Sequence, residues 1–434
     1  MRIAVVNWSR RKAGGTETYL SLIIPELARR GHALAFWHEV DSPSNREQIE
    51  LPDGVPSWCV QTLGPRRALD ELRDWRPDLI YTHSLLTPRL EAETLKIAPA
   101  VFFAHAYYGT CISGAKTFKN PEVTPCDRRF GRACLLQYFP RRCGGLSPLT
   151  MVRLFRLQSE RLKLLREYEA ILTHSSHMHA EYLKHGLSPD RVHNLSYYAH
   201  STGRHLSGAA QGEDSTPLPL NETRKGARDE KLYFHLLFSG RMEMLKGGRA
   251  FIDALPQIRE TLGRPLRVTF AGDGIERKAW ERRATKIQRG VEGLELNFVG
   301  WVESAQLDAL YEDCDLLVFP SLWPEPFGLV GPEAGLHGVP VAAFDVGGVS
   351  EWLIDGVNGH LAPGDPPTPA GLARAVVECL RDPSEHARLR RGAVQTAQQF
   401  NLNNHLRALT AVFEKIASRE AAHRLQNGAA VAVH

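Results

Sequence analysis

Short apolar runs of β type alternate with helical stretches along most of this 434-residue chain. Such alternation favours a parallel sheet with helices on both faces. In the first half the predicted strands are Ile3–Asn7, Ala33–His38, Leu79–Thr82, Ala100–Ala104 and Ala170–Thr173. In the second half they are Tyr233–Ser239, Leu266–Ala271, Leu296–Val299, Leu316–Phe319 and Pro340–Phe344. The sequence therefore predicts an α/β protein with two sheets.

A polar segment separates the two halves. Residues 201–230 contain no aromatic side chain and many small or charged ones, so they cannot bury enough apolar surface to offset the entropy of ordering. We predict a flexible linker there, between an N-terminal domain over 1–200 and a C-terminal domain over 231–395. A helical stretch over 396–426 follows the second domain. Two domains also suit the length, which exceeds what one core usually serves.

Composition and charge exclude several classes of protein. The net charge of +4 is too small to indicate a nucleic-acid partner. Met1 leads directly into a strand-like run, which predicts no signal peptide. No apolar run approaches the ~20 residues that a membrane-spanning helix needs. We expect a cytoplasmic protein, and seven unevenly spread cysteines fit reduced thiols better than a disulfide framework.

An unusual basic segment extends from Cys111 to Tyr168. Between Cys111 and Ala170 there are twelve Lys and Arg against five Asp and Glu. Its long helix, predicted over Met151–Tyr168, is either an ordinary surface helix or a contact for an anionic membrane or lipid-linked acceptor. The segment also holds Cys111, Cys126, Cys134 and Cys143. Their spacing lacks the close pairs of zinc ribbons, so a structural metal site and free thiols both stay open.

Glycines and cations follow several of the predicted strands. Gly14 and Gly15 precede a helix and leave backbone amides available to an anionic or hydroxylated ligand, although a simple tight turn explains them equally well. Arg241 and Lys246 follow the first strand of the second half, where ligands collect in open α/β sheets. A guanidinium and an ammonium there predict diphosphate binding. Gly274 ends a further polar turn that can frame a nucleotide base.

Two carboxylates flank a Pro-Phe-Gly turn after the predicted strand Leu316–Phe319. Glu325 precedes the turn, and Glu333 lies about one turn into a helix predicted over Val330–His337. The amides of Phe327, Gly328 and Leu329 form the positive end of that helix and can receive phosphate or hydroxyl oxygens. Each carboxylate can accept hydrogen bonds from vicinal sugar hydroxyls.

The run from Glu325 to Glu333, with Arg241 and Lys246 upstream and a Gly-Gly pair downstream at 347–348, resembles the retaining nucleotide-sugar glycosyltransferases of family 4. The resemblance implies the GT-B fold, in which two Rossmann-like domains face each other across a cleft. It also implies a final helix that crosses back to the first domain. The donor, a nucleotide diphosphate sugar such as a UDP- or GDP-sugar, would be held by the second domain, and the acceptor by the first.

By the same resemblance each site residue receives a role. Glu325 would contact the donor sugar, Glu333 the ribose, and Arg241 with Lys246 the diphosphate. The loop at Gly14 and Gly15 would close over the donor. His105, in the run Phe102-Phe-Ala-His-Ala-Tyr-Tyr108, matches the histidine that contacts the transferred sugar in the family.

The implied reaction is hexosyl transfer with retention at the anomeric carbon, to a glycan or lipid-linked acceptor in polysaccharide biosynthesis. No cofactor is required, because cationic side chains and the helix end neutralise the departing diphosphate. The leaving phosphate would take the proton of the acceptor, and Glu325 would orient the sugar rather than act as a nucleophile. Two alternatives stay open: another GT-B enzyme of epimerase or phosphorylase type, and a non-catalytic nucleotide-sugar sensor or scaffold.

Overall fold

A computed structural model of the protein describes residues 1–12, 14–41, 47–199 and 232–431, with side chains as far as 419. The predicted linker over 201–230 lies outside the described residues. Contacts divide the chain into two compact units. The first comprises Met1–Ala115, Arg128–Ser196 and the chain from Asn403 onward, and the second comprises Lys116–Asp127 and Tyr197–Leu402.

The first unit is built on a seven-stranded parallel sheet with the order β3-β2-β1-β4-β5-β8-β9. Its strands are β1 (Arg2–Ser9), β2 (Ala33–Val40), β3 (Ser57–Cys59), β4 (Leu79–Thr82), β5 (Ala100–Phe103), β8 (Ala170–Thr173) and β9 (Val192–Asn194). The central strands β4 and β5 are buried along their whole length, as expected of a parallel sheet with both faces covered.

The second unit holds a six-stranded parallel sheet with the order β12-β11-β10-β13-β14-β15. Its strands are β10 (Phe234–Ser239), β11 (Leu266–Ala271), β12 (Leu294–Gly300), β13 (Leu316–Phe319), β14 (Val341–Phe344) and β15 (Gly359–Ala362). A short antiparallel hairpin, β6 (Thr117–Phe118) with β7 (Thr124–Pro125), also belongs to this unit, although it lies within the basic segment that we assigned to the N-terminal domain.

Helices connect the parallel strands in both units. Those that precede residue 200 are α1 (Gly15–Arg29), α2 (Val60–Leu63), α3 (Pro65–Asp74), α4 (Pro88–Leu95), α5 (Ala133–Gln137), α6 (Pro148–Leu164) and α7 (Ser176–Lys184). Those that follow residue 231 are α8 (Gly248–Leu262), α9 (Arg277–Gly290), α10 (Ser304–Asp313), α11 (Val330–Leu336), α12 (Pro369–Leu380), α13 (Pro383–Ala397) and α14 (Leu402–Val431). Among the described residues, no helix combines the length and apolarity that crossing a bilayer demands.

The predicted α/β class with two parallel sheets is confirmed. Each of the ten predicted strands is present, with ends that differ by at most two residues. The prediction missed the edge strands β3, β9 and β15, which have three or four residues, and the two-residue strands β6 and β7 of the hairpin. Such strands are buried over only part of their length, so they carry no apolar run that a sequence pattern can detect.

The end of the chain differs from the prediction in its helix boundaries. The helical stretch predicted over 396–426 is the helix α14, which begins later, at Leu402, and continues to Val431, five residues beyond the predicted end. The start of α14 packs within the first unit, where His405 Nε2 lies 2.8 Å from Tyr19 Oη and His405 Nδ1 lies 2.8 Å from the carbonyl oxygen of Ser196.

Candidate functional site

The strand order of the second sheet reverses between β10 and β13. The segments that follow two neighbouring strands at such a point diverge, which opens a crevice beyond the carboxyl ends of the strands. Here the segments that follow the two strands are joined again by a hydrogen bond from Leu322 N to Leu245 O of 2.8 Å. This contact brings Lys246, from the segment after β10, next to the segment that follows β13.

A buried ion pair occupies this position. Lys246 Nζ lies 2.6 Å from Glu325 Oε1, and Ser321 Oγ donates to the same oxygen at 2.6 Å. The Glu325 side chain is only 5% exposed and the Lys246 side chain 20%. The ammonium also lies 5.3 Å from the ring centroid of Trp323, within the range of a cation–π interaction. The cluster thus presents one cation and one carboxylate in surroundings that exclude most water.

The backbone of Glu325 is held by the glycine pair at 347–348. Gly347 adopts a φ of +61°, and a Cβ placed there would lie 2.4 Å from the carbonyl oxygen of Glu325. Gly348 N donates to that same oxygen at 2.6 Å. The two segments also form an isolated parallel bridge between Glu325 and Gly347. Glycine at 347 is therefore needed for both its backbone conformation and the close approach that fixes Glu325.

Glu333 lies in the first turn of α11, in a setting unfavourable to a negative charge. Desolvation and, to a smaller extent, the nearby carboxylate of Asp308 raise the pKa of this carboxyl from 4.5 to about 7. The buried phenols of Tyr197 and Tyr311 lie close enough for the charge of Glu333 to raise their pKa in turn, after the larger effect of burial. A carboxyl so placed is poised to change protonation near neutral pH.

The turn between the two glutamates leads into α11 as predicted, since the helix begins at Val330. The carbonyl oxygen of Phe327 accepts a 2.7 Å hydrogen bond from Trp352 Nε1, which anchors the turn. Within the described part of the chain, the amides of Gly328 and Leu329 donate to no acceptor. These two amides are available to oxygens of a ligand.

Arg241 follows β10 and Gly274 follows β11, at the same carboxyl edge of the second sheet, but their surroundings indicate a ligand less clearly. The Arg241 side chain is 61% exposed, and its Nη1 pairs with Glu243 Oε1 at 3.1 Å. A Cβ at Gly274 would lie 2.4 Å from the carbonyl oxygen of Met242, so close packing alone accounts for glycine at 274. The Gly274 amide donates to Asp273 Oδ1 at 2.7 Å. A contact of Gly274 with a base stays a prediction.

In the first unit, His105 follows β5 and contacts a second histidine. Its Nε2 lies 2.8 Å from Nδ1 of His83, which follows β4, so one of these two nitrogens donates its N–H to the other. His83 Nε2 is buried and has no hydrogen-bond partner among the described residues. Desolvation, and then the charge of His83, hold the pKa of His105 well below its usual range, and burial lowers the pKa of His83 to about 3. Both rings are neutral at pH 7.

Gly14 and Gly15 precede and begin α1, close to the same carboxyl edge of the first sheet. Both are exposed, Gly14 has an extended backbone with a φ of −173°, and a Cβ at Gly15 would meet nothing within 4 Å among the described residues. Neither the backbone conformation nor the packing at positions 14 and 15 requires glycine. Tyr19 of α1 connects the loop to His105, with ring centroids 5.3 Å apart.

The four cysteines of the basic segment do not form a recognisable metal centre. Cys111 and Cys143 are buried, Cys126 and Cys134 are partly exposed, and none of the four forms a disulfide in the described part of the chain. Within the described residues, the group that brings three potential metal ligands together lies elsewhere, at His38, Asp41 and Cys59. A metal bound by the cysteine segment therefore stays a prediction without geometric support.

The structure brings together part of the predicted set and adds residues that we did not predict. Lys246, Glu325, the Phe327–Leu329 turn and Glu333 follow β10 and β13 of the second unit, and His105 with the glycine pair lies in the first. Ser321, Trp323, Asp308 and His83 were missed. A serine or a histidine close to a strand end carries no sequence signal of its own, and each gains meaning only through the neighbouring strand.

Both halves of the chain match models of known protein families. A family model described as Glycosyl transferases group 1 matches residues 233–382, and one described as Glycosyltransferase Family 4 matches residues 13–195. A D-inositol 3-phosphate glycosyltransferase of Xylanimonas cellulosilytica is 31% identical over 439 residues, which cover 94% of each chain. A glycogen synthase of Mycobacterium tuberculosis is 29% identical over 74% of this chain, and this match spans only 65% of the length of that relative.

Solved structures are similar in fold at lower identity. Anabaena HepE in complex with UDP and glucose has a TM-score of 0.64 and 19% identity, over 96% of this chain and all of HepE. WaaG, a glycosyltransferase involved in lipopolysaccharide biosynthesis, has a TM-score of 0.62 and 17% identity, over 94% of this chain and 99% of WaaG. These likenesses concern the GT-B fold.

Proposed function

The chain belongs to the glycosyltransferases of family 4, and from that premise we propose that it transfers a hexose from a nucleotide diphosphate donor to a glycan or lipid-linked acceptor, with retention of anomeric configuration. The observation that carries the proposal is the buried cluster of Lys246, Glu325 and Ser321 at the reversal of strand order in the second sheet. A cation and a carboxylate held there suit a ligand with a diphosphate at one end and hydroxyl groups at the other.

We assign the donor contacts by chemistry. Lys246, with the exposed Arg241 as a mobile second cation, neutralises the diphosphate as it departs. Glu325 accepts hydrogen bonds from hydroxyls of the transferred sugar, and Glu333 accepts them from the ribose. The amides of the Phe327–Leu329 turn receive a phosphate oxygen. A bound UDP-glucose in a solved HepE structure of similar fold supports the choice of a nucleotide-sugar donor.

In the first unit, we propose that Gly14, Gly15 and His105 contact the donor. The exposed Gly14 and Gly15, which no packing requires, leave room for a donor to approach the backbone at the start of α1. His105 is neutral and is hydrogen-bonded to His83, so it can hydrogen-bond a sugar hydroxyl without introducing a charge. These features support closure of the glycine loop over the donor and contact of His105 with the transferred sugar.

In the proposed reaction, the bond between the anomeric carbon and the β-phosphate oxygen breaks as the bond to the acceptor oxygen forms on the same face of the sugar. The departing phosphate oxygen takes the proton of the acceptor hydroxyl. Lys246 and the helix amides stabilise the charge that develops on the diphosphate, so the reaction needs no metal cofactor. Glu325 orients the sugar and stabilises positive charge at the ring.

A donor panel tests the proposal. We expect one class among UDP-, GDP- and ADP-sugars to raise the melting temperature, because saturation at a hundred times Kd stabilises the folded state by about 2.7 kcal/mol. With that donor and a glycan or lipid-linked acceptor, the anomeric proton of the product should show the donor configuration by NMR. An inverted product would contradict the mechanism. Tight binding without hydrolysis or transfer of any donor would favour a non-catalytic sensor instead.

For the acceptor side, we propose that the basic segment contacts an anionic membrane surface. Exposed arginines at 142, 153 and 156 lie along the same segment as exposed apolar side chains. Those apolar residues are Leu136, Phe139, Leu146, Leu149 and Val152. Cations beside exposed leucines are the combination that binds the interface of anionic lipids.

Vesicle sedimentation tests this contact. The protein should bind vesicles that contain an anionic lipid and not purely zwitterionic ones. Arg153→Gln combined with Arg156→Gln should weaken binding roughly thirtyfold, at about 1 kcal/mol for each charge. The matched control removes the exposed arginines 282 and 289 of α9 in the same way and should leave binding unchanged. Equal loss in both variants would indicate an effect of net charge and contradict a specific surface.

A further inference from the structure

Three potential metal ligands meet at the carboxyl ends of β2 and β3 in the first unit, and none of them is among the residues assigned to the donor. His38 and Cys59 are direct partners in the register of these two parallel strands, so their side chains leave the sheet on the same face. Asp41 follows β2 directly. One ligand atom from each of the three residues lies within 4.8 Å of the other two.

His38 is the residue that points to a ligand. Its side chain is 4% exposed, and neither ring nitrogen has a hydrogen-bond partner within the part of the chain that the structure describes. A buried polar atom without a partner destabilises the folded state. The Nε2 of His38 lies 3.8 Å from Asp41 Oδ1, with Cys59 as the third member.

The carboxylate is held in a matching orientation by its own neighbours. Thr62 Oγ1 donates to Asp41 Oδ2 at 3.0 Å, which leaves Oδ1 on the side of His38. The Asp41 amide donates to Gln61 Oε1 at 3.0 Å and fixes the backbone. Outer contacts of this kind orient the ligands of metal centres. The Asp41 side chain is 56% exposed, so an ion can enter from solvent along it.

We propose that His38, Asp41 and Cys59 bind one divalent transition-metal ion of the zinc class, with water in a fourth position. Imidazole nitrogen, thiolate and carboxylate together are ligands that Zn²⁺ and Co²⁺ accept in tetrahedral geometry. Bond lengths to zinc put such ligand atoms about 3.3–3.7 Å apart, so the three ligand atoms, which lie within 4.8 Å of one another, must move together by up to about 1 Å. The thiolate and carboxylate balance the charge of the ion, and the guanidinium of Arg10 is the remaining nearby cation.

Such an ion would be structural. It would tie the three-residue edge strand β3 to β2 and to the segment that follows β2, and it would satisfy the buried imidazole. No donor contact depends on it. Loss of the metal should therefore lower thermal stability and leave donor affinity unchanged, which separates a failure of this inference from a failure of the proposed function.

Cobalt titration of the full chain, freed of metal by a chelator, tests the site. We expect one equivalent of Co²⁺ to produce the strong visible absorption of tetrahedral cobalt and a near-ultraviolet sulfur-to-cobalt charge-transfer band. Zinc should abolish both and raise the melting temperature. Absence of the charge-transfer band in the wild-type protein would overturn the proposal.

Variants locate the site. Cys59→Ala should remove the charge-transfer band. Asp41→Asn should weaken Co²⁺ binding, and this variant should fold normally because the Asp41 side chain is exposed. Thr62→Val should weaken Co²⁺ binding at least tenfold, because Thr62 orients Asp41. Cys379→Ala, which removes another buried free thiol, is the matched control and should keep the band. A band that survives Cys59→Ala and disappears in Cys126→Ser would overturn the proposal and assign the metal to the cysteine segment.

Discussion

Replacing Lys246 by methionine is expected to lower the rate of sugar transfer at least a hundredfold and to destabilise the protein. The rate falls because the ammonium that neutralises the departing diphosphate is lost, and groups that stabilise developing charge typically contribute about a hundredfold or more. Stability falls because Glu325, only 5% exposed, is left as a buried carboxylate without its cation. Breaking a buried pair from one side costs about 3 kcal/mol or more.

Glu325→Gln separates the two effects. The amide keeps the shape of the side chain and can still accept from Ser321 and Lys246, while the partly exposed ammonium tolerates the loss of its partner. We expect the rate to fall about a hundredfold with a much smaller change in the free energy of unfolding than in Lys246→Met. The double variant should be more stable than Lys246→Met alone, since it buries no unpaired charge.

Initial rates with the donor that the panel identifies, and chemical denaturation at pH 8, measure these effects. Lys278→Met, an exposed lysine in α9, is the matched control and should behave like the wild-type protein. If Lys246→Met and Glu325→Gln each left the rate within about threefold of the wild-type value, the proposed site would be wrong.

The Lys246–Glu325 pair illustrates what the sequence could and could not predict. Both residues were recognised from their local motifs, since each follows an apolar run with the turn residues of a strand end. Their direct contact was not predictable, because they lie 79 positions apart and meet only through the adjacency of β10 and β13. Strand order depends on the crossover connections rather than on any local pattern.

The other residues were not predicted for the same physical reason. His83 was visible only as the residue after a strand, and its hydrogen bond with His105 requires β4 and β5 to be neighbours. His38 and Cys59 are separated by twenty-one positions with no ligand spacing between them, and the short edge strand β3 places them opposite each other. Periodicity predicts where strands lie, whereas register decides which side chains meet.

Glu333→Gln is expected to stabilise the protein at pH 8 and to weaken donor binding. In the folded protein the pKa of Glu333 is about 7, against 4.5 for an ordinary glutamate, so the folded state binds its proton more tightly than the unfolded state does. The stability of the wild-type protein should therefore fall as pH rises from 4.5 to 7 and stay lower above that range. The shift corresponds to about 3 kcal/mol, which the neutral amide would recover.

Donor binding should change in the opposite direction. If Glu333 accepts hydrogen bonds from two ribose hydroxyls, it must be ionised, so wild-type affinity should rise with pH through about 7. An amide oxygen accepts more weakly and its NH₂ group cannot accept at all. At pH 8, Glu333→Gln should raise the Kd of the donor about ten- to a hundredfold, because charge-assisted hydrogen bonds are lost. The donor affinity of this variant should no longer depend on pH in this range.

Denaturation curves and calorimetric titration with the donor, both from pH 5 to 8, measure the two trends together. Glu292→Gln, at an exposed glutamate, is the control and should change neither trend.

Asp308→Asn removes the negative charge next to Glu333 and should move both pH-dependent transitions to lower pH, because it relieves the repulsion that helps raise the pKa of Glu333. A purely structural carboxyl would alter stability alone. Unchanged donor affinity in Glu333→Gln across this range would therefore remove Glu333 from the donor site, whatever happens to stability.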